Sequence, residues 1–302
     1  MQAINNFDVI IIGGSYAGLA AAMSLGRSLR KVLIIDSGKP CNRQTPHSHN
    51  FLTQDGKTPS EISSIAKSQV LEYKTVNFVE DEAIHAINNE TSFFVSTKSG
   101  ITYSAKKLIL ATGIKDVMPN IKGFAACWGI SVVHCPYCHG YEIRNKKTGI
   151  MANGERAYHL ASMVGNLTKN LHVLTNEPAS FSKEEWSKLE HNRISVIDKK
   201  IVEVEHNDGN VNAIIFDDGS KEVIDAIYAA LPFVQHSNIS NLLDCELNEE
   251  GFIKVDDMYR TTIENVFACG DNCIKMRSLA NSVASGTMVG AVINMELVKE
   301  NF

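Results

Sequence analysis

His134-Cys135-Pro136-Tyr137-Cys138-His139 places two thiols three positions apart, with an imidazole on either side. Thiols at this spacing can close and reopen as a disulfide. The reactive form is the thiolate, so the chemistry needs a proton carrier beside it. An imidazole with an ordinary pKa of about 6.5 serves at neutral pH, which points to His139. Pro136 fixes its own φ and removes a competing backbone donor. The same letters fit two other chemistries. Cys135-x-x-Cys138-His139 is the pattern of c-type haem attachment, which calls for export and a separate axial ligand. His134, Cys135, Cys138 and His139 are also candidate zinc ligands, with Cys269 and Cys273 as a second knuckle.

The elements that must position these residues are those of an ordinary globular chain. The 302 residues are 44% hydrophobic and 21% charged, enough for one large or two medium domains. A net charge of −5, with no basic run longer than two residues, argues against a nucleic-acid or anionic-membrane partner. The N-terminus, Met1 to Asp8, lacks a basic region and a cleavage site, and no stretch reaches transmembrane length. Seven cysteines are an odd number in a chain too large to need staples. A cytoplasmic protein with one working pair is expected. Cys127, Cys245 and Cys269 read as small buried hydrophobes, and Cys41 lies in a loop after Asp36.

Asp8 to Ile12 is a β-branched run that reads as a buried parallel strand. Gly13-Gly14-Ser15-Tyr16-Ala17-Gly18 follows, then helical character from Leu19 to Leu25, then a strand from Lys31 ending on Asp36. Strand, glycine turn, helix, strand and acid make one dinucleotide-binding unit. The phosphates approach the glycine backbone at the helix N-terminus, and the acid takes a ribose hydroxyl. The middle glycine of the pattern is replaced by Ser15. Thr58-Pro59-Ser60-Glu61 predicts a helix over 59–73, and Thr91 to Ser99 alternates like a strand. Lys107 to Leu110 leads into Ala111-Thr112-Gly113, and after Ile114 to Pro119 the pattern loosens, as at a domain crossing.

A second unit begins near Gly149 and turns at Ala152-Asn153-Gly154-Glu155-Arg156-Ala157 into a helix to about Val164. A strand over Leu171 to Leu174 follows, and Ser182 to Glu185 reads as a capping box. Ile201 to Glu205 and Val211 to Phe216 read as a hairpin. Asn265 to Asp271 reads as a short strand ending in Gly270-Asp271, and Leu279 to Val298 reads as a terminal helix.

Gly13 to Gly18 with Asp36, Ala111-Thr112-Gly113, Cys135-x-x-Cys138 and Gly270-Asp271 occur in this order. Together they resemble the low-molecular-weight thioredoxin reductase family of flavoproteins, over nearly the whole chain. The resemblance implies an α/β fold with two Rossmann-like domains. A discontinuous FAD domain would span 1–116 and 236–302, and a pyridine-nucleotide-like domain over 117–235 would carry the redox pair. It implies that Gly13, Ser15, Ala17, Gly18 and Asp36 bind the ADP half of FAD. Asn50, Ala83, Thr112, Gly113, Gly270 and Asp271 would complete the site. Cys138 would face the flavin and Cys135 would exchange with substrate. The implied partner is a thioredoxin-like protein or a small disulfide or dithiol, and the implied assembly is a homodimer.

Two departures bear on function. The residue after the second cysteine, commonly Asp in thioredoxin reductases, is His139. Cys-Pro-x-Cys-His resembles a subgroup that includes dithiol oxidases, which pass electrons from a small dithiol to flavin and then to oxygen. The pyridine-nucleotide turn is also eroded. It keeps Gly154 and Ala157, and Thr175-Asn176-Glu177 stands where the family has its His-Arg-Arg run. An acid there would repel the 2′-phosphate of NADPH. The expectation is an FAD-dependent disulfide/dithiol oxidoreductase with NADPH as candidate donor. A flavin dithiol oxidase and a flavin redox sensor without turnover are the alternatives.

Overall fold

The computed structural model describes residues 4–302. Met1–Ala3, part of the segment read above for an export signal, lie outside the described residues. The chain divides into two compact units. Among the described residues the first comprises 4–43, 59–115 and 233–302, and the second 44–58 and 116–232.

The first unit opens with β1 (Ile4–Ile12), α1 (Tyr16–Arg27), β2 (Val32–Asp36), α2 (Pro59–Leu71) and β3 (Val76–Glu80). It continues with β4 (Ala83–Asn89), β5 (Ser92–Thr97), β6 (Thr102–Leu110) and the short β7 (Ile114–Asp116). The second unit then contributes α3 (Phe124–Cys127), β8 (Val132–Val133), α4 (Pro136–His139), β9 (Thr148–Met151), α5 (Gly154–Val164) and β10 (Leu171–Leu174). It closes with α6 (Lys183–His191), β11 (Ser195–Ile197), β12 (Ile201–Asn207), β13 (Asn210–Phe216), β14 (Lys221–Val223) and β15 (Ala226–Ala229). The chain returns to the first unit through β16 (Phe233–Gln235), α7 (Ile239–Leu242), β17 (Val266–Ala268) and α8 (Leu279–Asn301).

The first sheet runs β3-β2-β1-β6-β5-β4, with β17 also paired to β6. β3, β2, β1, β6 and β17 are mutually parallel. Their β-branched residues suit strands covered on both faces. Val9, Ile11, Val32 and Ile34 pack on one side with α1 and α8. Ile10, Ile12, Leu33 and Ile35 pack on the other with Phe93, Val95 and Ile253. This is the period of two that a strand imposes. α8 lies close on α1 because two of its residues are glycines. A Cβ at Gly286 would fall 2.1 Å from the Ala17 carbonyl oxygen, and one at Gly290 2.6 Å from Ser24 Cβ.

The second unit holds a parallel five-stranded sheet, β11-β10-β9-β15-β8, and an antiparallel sheet, β12-β13-β14. The hairpin expected over 201–216 is present. Asp208 and Gly209 turn it with φ of 49° and 79°, the double positive φ of a type I′ turn. The Ser182 capping box is also present, with Glu185 N–H donating to Ser182 Oγ at 3.2 Å and Ser182 N–H to Glu185 Oε2 at 2.7 Å. The helix expected over 59–73 ends at Leu71, and the terminal helix runs past Val298 to Asn301.

Residues 44–58 were expected on the FAD side and instead group with the second unit. The reason is contact. His49 Nε2 lies 3.7 Å from Glu142 Oε1, and a Cβ at Gly129 would meet Gln44 at 3.0 Å. No helix among the described residues is long and apolar enough to cross a membrane.

Candidate active site

In the first unit the candidate cofactor residues gather at the C-terminal ends of β1, β2, β6 and β17. This is where an open parallel sheet offers a crevice. Gly13 has a φ of 105°, and a Cβ there would fall 2.2 Å from the Ala111 carbonyl oxygen. A Cβ at Gly18 would fall 1.9 Å from the Gly13 carbonyl oxygen. Both positions therefore demand glycine. Asp36 closes the turn, with Oδ1 accepting from Gly14 N–H at 2.7 Å and Oδ2 from Gly38 N–H at 3.0 Å. Ser15 begins α1 without a side-chain cap bond, so the first N–H groups of that helix are left to an external acceptor. Ala83 opens β4 two residues past Asp81, whose N–H donates to the Asp36 carbonyl at 2.9 Å.

Ala17 sits under Gly270, where a Cβ would come within 3.0 Å of the Ala17 Cβ. Gly270 N–H donates to Ser285 Oγ at 3.1 Å. Asp271 Oδ2 lies 3.8 Å from Arg277 Nε and 4.0 Å from Cys41 Sγ. Beside Gly113, whose φ is 66°, a Cβ would meet open space. Asn272 was missed by sequence reasoning. Its Nδ2 donates to the Leu110 carbonyl at 2.7 Å and to Thr112 Oγ1 at 3.2 Å, while its fully buried Oδ1 has no partner among the described residues. A glycine cradle, an uncapped helix start and a buried orphan acceptor suit a dinucleotide, so these residues fit FAD. Asn50, the remaining candidate, belongs to the second unit. There its N–H donates to Asp55 Oδ1 at 2.7 Å.

The second unit brings Cys135, Cys138 and His139 together on α4. β8 delivers the chain to His134, which stands against the Trp128 ring at 6.1 Å. Cys135 is the extended N-cap and Pro136 occupies the first turn, where its missing N–H costs nothing. The N–H groups of Cys138 and His139 both reach the Cys135 carbonyl at 3.3 Å. The two sulfurs lie 2.7 Å apart, and all seven cysteines are thiols. Tyr137, between them, is 73% exposed. Burial pushes the His139 pKa below its usual value. The Glu142 carboxylate opposes that shift and His49 adds to it. His49 stands between two acids, with Nδ1 3.6 Å from Asp55 Oδ2 and Nε2 3.7 Å from Glu142 Oε1.

Burial pushes Cys273 up to about 12 and raises Cys269 as well, so the second knuckle suggested by sequence is a pair of buried thiols. No group of three or more His, Cys, Asp or Glu suited to a metal occurs among the described residues.

The second dinucleotide turn differs from the first. Gly154 has a φ of 57°, and its N–H donates to Asn153 Oδ1 at 2.8 Å. The same oxygen accepts from Ser180 N–H at 2.9 Å, while Asn153 Nδ2 donates to Glu177 Oε1 at 3.1 Å and to the Pro178 carbonyl at 3.0 Å. The chain thus caps α5 with its own side chain and places an acid beside it.

Comparison with known proteins agrees with this architecture. The profile of the family described as pyridine nucleotide-disulphide oxidoreductase matches residues 7–286. The chain is 34% identical to a Claviceps purpurea protein called thioredoxin reductase tcpT, over 99% of this chain and 97% of that one. A structure described as a putative thioredoxin reductase TrxB from Bacillus anthracis superposes with a TM-score of 0.93 at 28% identity, covering 98% of this chain and all of that one. An Agrobacterium tumefaciens oxidoreductase gives a TM-score of 0.91 at 34% identity, over 98% and 99% of the two chains.

Proposed function

The chain belongs to the pyridine nucleotide-disulphide oxidoreductase family, and from that premise we propose that it oxidises a small dithiol, passing the electron pair through Cys135 and Cys138 to FAD. It is a thioredoxin reductase-like, FAD-dependent oxidoreductase acting on sulfur groups. The direction of flow is our reading. The observation that carries it is the Asn153 cap of α5 with Glu177 on the same amide. In that turn an NADPH phosphate would compete with an internal acceptor and face a carboxylate.

On this reading a substrate thiolate attacks Cys135 of the closed pair, and Cys138 leaves with the electrons of the broken bond. The second substrate thiolate attacks the substrate sulfur of the mixed disulfide, and Cys135 leaves in turn. The substrate is oxidised by two electrons and the protein pair is reduced by two. His139, kept neutral at pH 7 by burial, takes a proton from a substrate thiol. Bound FAD supplies a two-electron acceptor that dioxygen can reoxidise. Cys138 is the thiol assigned to the flavin side and Cys135 the one assigned to exchange. A homodimer in a reducing, cytoplasmic setting completes the reading.

A second reading is favoured by the names of the relatives, several of which are called thioredoxin reductases. There NADPH would reduce the pair and a thioredoxin-like disulfide would be the acceptor. Anaerobic bleaching of the flavin separates the two. We expect a dithiol to bleach it rapidly and air to restore it with release of peroxide. Rapid bleaching by NADPH, with none by dithiols, would overturn the first reading.

A further inference from the structure

Tyr228 heads the fully buried side chains by size, at 1% exposure, and its hydroxyl has no hydrogen-bond partner among the described residues. An unsatisfied buried hydroxyl has lost its water without a replacement partner, which destabilises the fold. Phenylalanine would fill the same volume without that penalty, so the hydroxyl calls for an explanation.

Its position supplies one. β15 holds Tyr228 opposite Val133 of β8 on one side and Ile150 of β9 on the other. The ring belongs to the same packed cluster as Val133 and Ile143. Those two residues bracket the segment 134–142, which carries Cys135, His139 and Glu142. The redox loop therefore starts and ends on residues that hold the Tyr228 ring. Burial, then the charges of Cys135 and Glu142, push the phenol well above its usual pKa, so it remains a donor throughout the neutral range.

We propose that Tyr228 is a positioning residue whose hydroxyl donates a hydrogen bond to the Cys135 sulfur when the pair opens, and so holds Cys135 as a thiolate. The proposal rests on the reading of Cys135 and Cys138 as the redox pair and deepens it. The bond forms in the second exchange step. There the mixed disulfide breaks, the substrate sulfurs join, and Cys135 leaves with the electron pair. Tyr228 gives up no proton. The two protons of the substrate thiols go to His139 and to water. In the structure Cys135 is a neutral thiol beside Cys138, and a neutral sulfur is a weak acceptor, which leaves the hydroxyl idle and accounts for its missing partner.

The test uses the FAD-loaded protein carrying Cys138→Ser, which isolates Cys135. The rate of Cys135 alkylation by iodoacetamide is followed against pH, with and without Tyr228→Phe, by mass of the peptide. With Tyr228 present the midpoint should lie about one unit lower, and alkylation at pH 7 should be about ten-fold faster, than with phenylalanine. The melting temperature should be unchanged or higher with phenylalanine, because an unsatisfied hydroxyl is removed. Equal midpoints would overturn the proposal. Should Tyr228→Phe fail to fold, 3-fluorotyrosine at 228 is a stronger donor and must lower the midpoint, and an unmoved midpoint overturns the proposal equally. The readout needs neither a dithiol substrate nor an electron acceptor. Failure of the oxidase reading would leave it intact, and its own failure would leave that reading standing.

Discussion

The Asn153 side-chain amide donates to the Glu177 carboxylate at 3.1 Å, across the turn that would cradle a second dinucleotide. In the first unit the matching helix starts uncapped, while here the internal acceptor is already seated. We expect NADPH to bleach the flavin slowly. The double change Asn153→Gly with Glu177→Arg should raise that rate at least about ten-fold, because it frees the helix N-terminus and puts a phosphate partner beside it. Stopped-flow absorbance under anaerobic conditions measures it. Fast bleaching of the unchanged protein by NADPH would sink the argument.

Cys135→Ser and Cys138→Ser should each lower dithiol turnover by about three orders of magnitude, since exchange needs both sulfurs. The yellow cofactor should stay bound, because the glycine cradle belongs to the other unit. Steady-state oxygen uptake and the visible spectrum, read on the same samples, test both halves. Loss of the flavin band in either variant would show that the thiols also hold the cofactor.

The local grammar of the fold was readable in advance. Gly13 and Gly18 stand where a Cβ has no room, and Asp208-Gly209 makes its hairpin. These features depend on neighbours in sequence, so spacing betrays them. What spacing could not betray depends on pairings distant in the chain. The side of residues 44–58 is set by His49 meeting Glu142, and Asn272 gains meaning only beside Leu110 and Thr112. Tyr228 is one hydrophobic letter in a strand until the register sets it against Val133. The erosion of the second turn was visible as missing arginines, but the Asn153 cap that fills it was not.

His139 gives the chemistry a pH signature. Its folded pKa is lowered by burial, so the unfolded chain binds more protons just below pH 6.5. Stability should therefore rise with pH up to about 6.5 and then level, as far as this group is concerned. His139→Asn should flatten that portion of the melting-temperature profile. Glu142→Gln removes the charge that opposes the shift. It should move the acid limb of kcat/KM for the dithiol to lower pH. An acid limb that stays in place would show that another group sets it.

The contact of α8 with α1 predicts a large effect from one methyl group. A Cβ at Gly286 would lie 2.1 Å from the Ala17 carbonyl oxygen and 3.1 Å from Ala17 Cα. These are backbone atoms, which no rotamer change can move aside. Ala17 also lies against Gly270, the last turn before Asp271. Gly286→Ala should cost about 1–3 kcal/mol through forced separation of the two helices. Because α1 begins at the turn expected to hold the pyrophosphate, the same change should weaken FAD retention. Thermal unfolding with and without added FAD measures both effects. If the melting temperature falls and flavin retention is untouched, α1 yields along its length while its N-terminus stays in place, and the coupling between helix packing and cofactor site is refuted.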